Sequence, residues 1–273
     1  MKHFKIGLFT FLKGSFEMVS TSKKRRLLIV DELHRNQTVR VSELSDRLGV
    51  SQVSIRRDLQ HLEELGLLKR VHGGAVLVPG ANSGGKQTIA QLEKKERIGR
   101  AAARLIQPNE RIIFDSGTTP LQVARSIDSD LLNSGNLTFI SANLPLIREM
   151  GSKTSLHTIV LGGIYLPAYE VMVGPQTIEQ LKGLHADKMF LGTDGMTLAH
   201  GLTTANVLEA EVDRAMAHAS TQVIAVSDSS KIGVIGLATI MSLKEIDKLI
   251  TDKDAPQAFV ETLRGYGVEV ILV

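Results

Sequence analysis

From residue 91 onward, short apolar runs alternate with amphipathic stretches, and this alternation limits the possible folds more than any other feature of the chain. The runs occupy 111–115, 137–141, 156–161, 188–191, 222–226 and 268–273, several of them bounded by Gly, Asn or Asp. Stretches of helical periodicity lie between them at 88–106, 118–128, 175–183 and 203–219. Repetition of a β-type run and a helix-type run predicts a mostly parallel sheet with helices on both faces. In such sheets ligands bind at loops beyond the carboxyl ends of the strands.

The most informative loop is Asp115-Ser116-Gly117-Thr118-Thr119, directly after the first run and before a helix starting near Pro120. A strand-to-helix junction offers free backbone N–H groups and the positive end of a helix dipole. Glycine lets an anion approach the backbone, and three hydroxyls add donors. This is phosphate-cradle chemistry without a Walker lysine. The plainer alternative is a capped helix start in which Ser116 or Thr118 satisfies orphan amides. Other polar or glycine positions follow later runs: Asn143, Gly162 and Gly163, Asp194 within Gly192-Thr193-Asp194-Gly195, and Lys231 within Asp228-Ser229-Ser230-Lys231. If the sheet is parallel these loops open at one edge, which predicts one common pocket. There Lys231 would meet a phosphate or a sugar oxygen.

The front of the chain has a different character. Residues 1–80 hold 14 Lys and Arg against 8 Asp and Glu, whereas the remainder holds 18 against 21. A basic front on a mildly acidic body points to a small module that binds a polyanion. Thr21 or Ser22 opens a helical pattern in which Leu27, Val30, Leu33 and His34 share a face. Ser42 is placed to cap a second helix that Gly49 stops, and Ser51 a third that Gly66 ends. In the third, Ile55, Leu59 and Leu62 form the buried stripe, leaving Gln52, Ser54, Arg56 and Arg57 to project elsewhere. A helix, a glycine turn and a second helix make a helix-turn-helix, whose recognition helix reads bases from its N-terminal half. Arginine suits that task because its planar fork binds guanine or phosphate bidentately. A short hairpin then carries Lys69, Arg70 and His72 as a wing for backbone phosphates. Ser51, Gln52, Ser54, Arg56, Arg57, Lys69, Arg70 and His72 are therefore the expected DNA contacts. Asp58 is expected to pair with an arginine instead.

These readings divide the chain into a tail or upstream start at 1–20, a winged helix-turn-helix at 21–78, a Gly- and Ser-rich linker at 79–90 and a ligand-binding body at 91–273, to which the resemblance described below adds oligomerisation. The first 17 residues loosely resemble a signal peptide, but Lys13 and Gly14 break the apolar stretch and no small-residue cleavage site follows. The chain has no cysteine, which excludes disulfides and thiolate zinc sites and fits a reducing cytoplasm. No apolar run is long enough to span a bilayer. The eight histidines lack metal-protease spacing, and no G-x-G-x-x-G follows a strand, so neither metal nor cofactor is expected.

The stretch LSDRLGVSQVSIRRDLQHLEELGLLKRVHGGAVL closely resembles the winged helix-turn-helix of the DeoR family of bacterial repressors. The body resembles that family's sensor domain through EKKERIGRAAARLI, IIFDSGTTP, SANLPLI, LGGIYLPAYEVMVGP, DKMFLGTDGMTLAHGLTT, EAEVDRAMAHA and SDSSKIG. One departure is Ser141-Ala142-Asn143, where many members carry more hydroxyls. The resemblance implies a doubly wound α/β domain related to ribose-5-phosphate isomerase and CoA transferases, a phosphorylated sugar as effector, operator DNA as partner, and a dimer or tetramer. An isomerase-like enzyme fused to a DNA-binding head is the alternative. The isomerase carries Asp-Gly-Ala-Asp, where this chain has Gly192-Thr193-Asp194-Gly195 and one aspartate. Glu209 or Glu211 could serve as the base of such an enzyme, but both lie in a helical run whose plainer reading is a solvated face. Loss of the carboxylate pair argues for binding without turnover.

Overall fold

The computed structural model describes residues 22–64, 67–77, 85–151, 153 and 155–273. The expected tail, the stop at Gly66 and the linker residues 79–84 lie outside the described residues. The chain divides into two compact units between Leu92 and Glu93.

The first unit contains α1 (Ser22–Asn36), β1 (Thr38–Arg40), α2 (Val41–Leu48), α3 (Gln52–Glu64), β2 (Leu68–Val71) and β3 (Gly74–Leu77). Ile29, Val30 and Leu33 of α1 pack with Leu44 and Leu48 of α2 and the stripe Ile55, Leu59 and Leu62 of α3. Helical periodicity located that stripe and the burial of Val30 and Leu33 on α1, but Ile29 rather than Leu27 joins them in the core. Helix α2 starts at Val41, so Arg40 and not Ser42 occupies the N-cap, with no side-chain bond there. Val41 is needed in the core, which draws the first turn back by a residue. Gly49 closes α2 at φ 65°, the left-handed conformation that glycine adopts most easily.

β2 and β3 form the expected hairpin, turning at His72 and Gly73. Strand β1, too short to show in the sequence, pairs antiparallel with β3 and completes a sheet of order β1-β3-β2. Gly74 lies so close to β1 that a Cβ would fall 2.0 Å from the Val39 carbonyl oxygen, so only glycine fits there.

Helix α4 (Gly85–Ala103) begins inside the stretch expected to be linker, because after Gly85 no residue interrupts the helical run. It is followed by β4 (Arg111–Phe114), α5 (Thr118–Arg125), α6 (Ser129–Asn133), β5 (Thr138–Ser141), α7 (Leu144–Met150), β6 (His157–Val160), β7 (Ile164–Leu166), β8 (Val171–Val173) and α8 (Pro175–Leu181). Then come β9 (Ala186–Leu191), β10 (Gly195–Thr197), β11 (Gly201–Thr204), α9 (Val207–His218), β12 (Ser220–Val226), a 3-10 turn (Ser229–Lys231), β13 (Ala238–Met241), β14 (Lys248–Thr251), α10 (Gln257–Gly265) and β15 (Glu269–Leu272).

Seven strands form a parallel sheet in the order β15-β14-β12-β9-β4-β5-β6. Side chains alternate between its faces. Ile112, Phe114, Phe190, Ile224 and Val226 pack with Ile98 of α4, Val123 of α5 and Leu146 of α7. Ile113, Met189, Leu191, Val223 and Ala225 pack with Leu181 of α8, Met216 of α9 and Leu263 of α10. Both faces are therefore covered, which is the doubly wound arrangement. The Phe114 ring stacks on Phe190 at 5.5 Å and meets Phe139 edge-on at 4.8 Å.

Six strands of this sheet correspond to the six apolar runs. The seventh, β14, is a four-residue strand between Asp247 and Asp252, too short and too closely flanked by charge to stand out. The small antiparallel sheets β10-β11-β13 and β7-β8 were also not legible, and Thr203 and Thr204, expected to be helical, belong to β11. Helix α9 starts later because the Asn206 side chain accepts from the backbone N–H groups of Leu208 and Glu209. Strand order reverses beside β4: β5 and β6 extend to one side, while β9, β12, β14 and β15 extend to the other.

Candidate functional site

In the first unit, Ile55, Asp58, Leu59 and Leu62 are the buried side of α3, and Gln52, Arg56 and Arg57 are exposed. Ser51 acts as the N-cap: its Oγ accepts from the Ser54 N–H at 3.3 Å and lies 3.0 Å from the Ser54 hydroxyl. Arg56 donates through Nη2 to the Gln52 side-chain oxygen at 3.1 Å, holding both groups on one face. Asp58 is only 2% exposed and accepts from the Nε of Arg25 and, at 3.1 Å, from that of Arg26. This is the arginine pairing expected for Asp58, and it fastens α1 to α3. Lys69, Arg70 and His72 are exposed on the wing. The Arg70 backbone N–H donates to Glu63 at 2.7 Å, which ties the wing to α3. A hollow of about 330 Å³ between them is lined by Arg56, Arg70, His72, Gly73 and Gly74.

In the second unit a cavity of about 270 Å³ opens beyond the carboxyl ends of β4, β9 and β12, the adjacent central strands. It lies where strand order reverses, the usual crevice for ligands in open α/β sheets. One wall is the start of α5. Gly117 precedes that helix at φ 98°, a conformation that side chains disfavour, and no side chain caps the helix. The Thr118 and Thr119 amides, at the positive end of the dipole, therefore border the cavity without a capping group. Lys95 of α4 donates to the Thr118 hydroxyl at 2.8 Å, and Lys231 adds a second cation to the lining.

The floor is acidic. The Asp115 carboxylate accepts from the backbone N–H of Ser116 and, at 2.9 Å, from that of Gly192. Asp213, also buried, lines the cavity with it. Glu209 lies 3.4 Å from the hydroxyls of Ser116 and Thr204. Asp194 accepts from the Thr204 hydroxyl at 3.1 Å and from the Ala205 N–H at 2.9 Å. Burial, reinforced by the charges of Asp115 and Asp194, pushes Glu209 up to about 7. Burial raises Asp115 to about 6, and burial together with the Asp115 charge holds Asp213 well above the carboxylate range. Burial lowers the pKa of Lys95, an effect that Asp228 opposes. Among the described residues no three or more His, Asp or Glu side chains are arranged to hold a metal ion.

Of the expected pocket residues, Asp115, Ser116, Gly117, Thr118, Thr119, Asp194 and Lys231 line this cavity. Asn143, Gly162 and Gly163 do not. They follow β5 and β6, which lie beyond β4 toward the sheet edge, so a parallel sheet brings their loops to the same edge but not to the same place. Asn143 is buried and caps α7 by accepting from the Leu146 N–H, and the Gly162 carbonyl accepts from Thr177 and Gln180. A Cβ on Gly163 would fall 2.2 Å from the Thr177 hydroxyl oxygen, so that glycine serves packing. Glu209 reverses its expectation: it is 6% exposed and faces the cavity. Asp228, from the loop expected to open there, lines it too, whereas Lys95, Tyr169, Thr204 and Asp213 also line it and were not singled out from sequence.

Among the described residues no helix is long and apolar enough to cross a membrane. Residues 25–79 match the DeoR-like helix-turn-helix domain, and residues 90–253 match the DeoR C terminal sensor domain. The chain is 34% identical over 250 residues to the HTH-type transcriptional regulator GolR of Listeria innocua, covering 90% of this chain and 97% of that one. It is 33% identical over 255 residues to the HTH-type transcriptional repressor GlcR of Bacillus subtilis, covering 92% and 96%. Among solved structures, ribose 5-phosphate isomerase from Plasmodium falciparum aligns at TM-score 0.39 with 21% identity over 53% of this chain and 55% of that chain. The curated relatives are named as regulators or repressors and not as enzymes, and the helix-turn-helix match lies within the first unit. The chain belongs to the DeoR family of DNA-binding transcriptional regulators.

Proposed function

We propose that this regulator represses a carbohydrate or related metabolic operon in the cytoplasm and that a phosphorylated sugar controls its affinity for operator DNA. The observation that carries the reading is the polarity of the cavity. Its α5 side offers backbone amides at a helix N-terminus, three hydroxyls and two lysines, which suit a phosphate. Its floor offers the carboxyl groups of Asp115, Asp194 and Glu209, which accept from sugar hydroxyls and repel an acidic group. The effector is therefore a phosphate ester of a polyol or sugar rather than of a sugar acid.

At the other unit, Gln52, Ser54, Arg56 and Arg57 of α3 meet base edges, with Ser51 at the helix start. Lys69, Arg70 and His72 meet backbone phosphates of double-stranded DNA. The protein acts as a dimer or tetramer, so two heads engage one operator. A ligand shifts DNA affinity only through its different affinities for the two states, on the order of 1–3 kcal/mol of coupling. The test is a thermal-shift screen of the full chain against neutral sugars, sugar phosphates and phosphorylated sugar acids, followed by operator titration with each stabilising compound. Selective stabilisation by a sugar phosphate that also alters operator affinity is expected. Equal response to the unphosphorylated sugars, or to the sugar acids, overturns the reading.

A further inference from the structure

Helix α3 turns once per 3.6 residues, and its buried residues Ile55, Asp58, Leu59 and Leu62 define one side. The side opposite is centred on Val53, with Arg56, Arg57 and Gln60 following at i+3, i+4 and i+7 on the same surface. Val53 is 55% exposed, more than any other large apolar side chain among the described residues of the first unit. It contributes nothing to the core there, and a β-branched residue slightly disfavours the helix. Exposed apolar side chains are ordinary when scattered. This one stands at the middle of the face that two arginines make cationic, in the first turn of the helix.

We infer that Val53 packs against the 5-methyl group of a thymine and so selects a T·A pair at one position of the operator. The major groove presents base edges that are otherwise donors and acceptors, and the thymine methyl is the apolar group among them. A branched aliphatic side chain has no hydrogen bond to offer that groove and complements the methyl by excluding water from it. Arg56 and Arg57, one turn further on, bring the helix to the DNA through phosphate or guanine contacts. Val53 adds a reading of the thymine methyl, which a guanidinium does not recognise.

The inference rests on α3 as the base-reading helix, and the experiment separates the two. Duplexes are selected from a random library by the full-length protein and by its Val53→Ala and Arg57→Ala variants. Each thymine of the wild-type site is then replaced singly by deoxyuridine, which removes only the methyl. One replacement is expected to weaken wild-type binding about fourfold, the effect of one buried methyl. Val53→Ala is expected to bind the thymine and uracil duplexes equally and to lose its T·A preference at that position alone. Because Val53 is exposed, Val53→Ala should keep the wild-type melting temperature. If no uracil replacement affects the wild type, or if Val53→Ala retains the wild-type discrimination, the thymine assignment is overturned. If Arg57→Ala still changes the selected sequence, the base-reading role of α3 survives that result. If neither variant changes it, that role falls as well.

Discussion

Lys95 donates to the Thr118 hydroxyl at 2.8 Å, so a cation from α4 sits against the uncapped start of α5. Its neighbour Lys94 points elsewhere, bonding Ser229 at 2.9 Å and pairing with Asp252 and Asp254. Adjacent lysines thus divide the work: Lys94 fastens α4 to the loops at the end of the sheet, and Lys95 charges the cavity.

Lys95→Ala should leave operator affinity intact while weakening the phosphorylated effector about 10-fold or more, as loss of a charge-assisted hydrogen bond implies. Lys231→Ala and Thr118→Val should act in the same direction. Titration calorimetry, paired with fluorescence anisotropy on operator DNA, reads both quantities. Unchanged effector affinity in all three variants would remove this wall from the site.

Glu209 gives the second unit a specific pH response. Its carboxyl is held at about 7 in the folded protein against an ordinary 4.5, so folding favours its protonated form. The resulting stabilisation is complete below about 4.5 and is lost as pH rises through about 7. Asp115, raised to about 6, acts in the same sense. The ligand-free protein should melt at lower temperature as pH rises from 5 to 8, and Glu209→Gln should flatten that dependence. Calorimetric scans of the two proteins check it, and parallel slopes would refute the assignment.

For Arg57→Ala, operator binding should weaken by on the order of 1–3 kcal/mol, with specificity relaxed at one base pair. Lys69→Ala should weaken all sequences alike and reduce the salt slope by about 1. Anisotropy titrations across several salt concentrations distinguish the two patterns. Identical behaviour of the variants would contradict the division between base-reading helix and phosphate-binding wing.

Asp58→Ala should destabilise the head by about 3 kcal/mol, since it strands the guanidinium groups of Arg25 and Arg26 beside a buried site. Denaturant unfolding followed by circular dichroism measures this. A loss under about 0.5 kcal/mol would mean the clamp behaves as an exposed ion pair.

Much of the head was legible because its information is local. The spacing of Ile55, Leu59 and Leu62, the stop at Gly49 and the hairpin glycines each act within a few residues, and the structure follows them. The start of α2 was not, because burial of Val41 outweighed the better capping chemistry of Ser42. In the body, alternation located six strands and placed the D-S-G-T-T loop at a strand end, but it carried no information on lateral order.

By itself, then, the sequence determined the two-part organisation, the helix-turn-helix with its exposed arginines, and a hydroxyl-rich helix start able to receive an anion. Tertiary structure decided which loops meet there. The reversal of strand order beside β4 set Asn143, Gly162 and Gly163 apart from the cavity and brought Lys95, Glu209 and Asp213 into its walls. The reason is physical: side-chain periodicity reports which face of an element is buried, whereas the neighbour against which it is buried depends on crossovers between residues far apart in the chain.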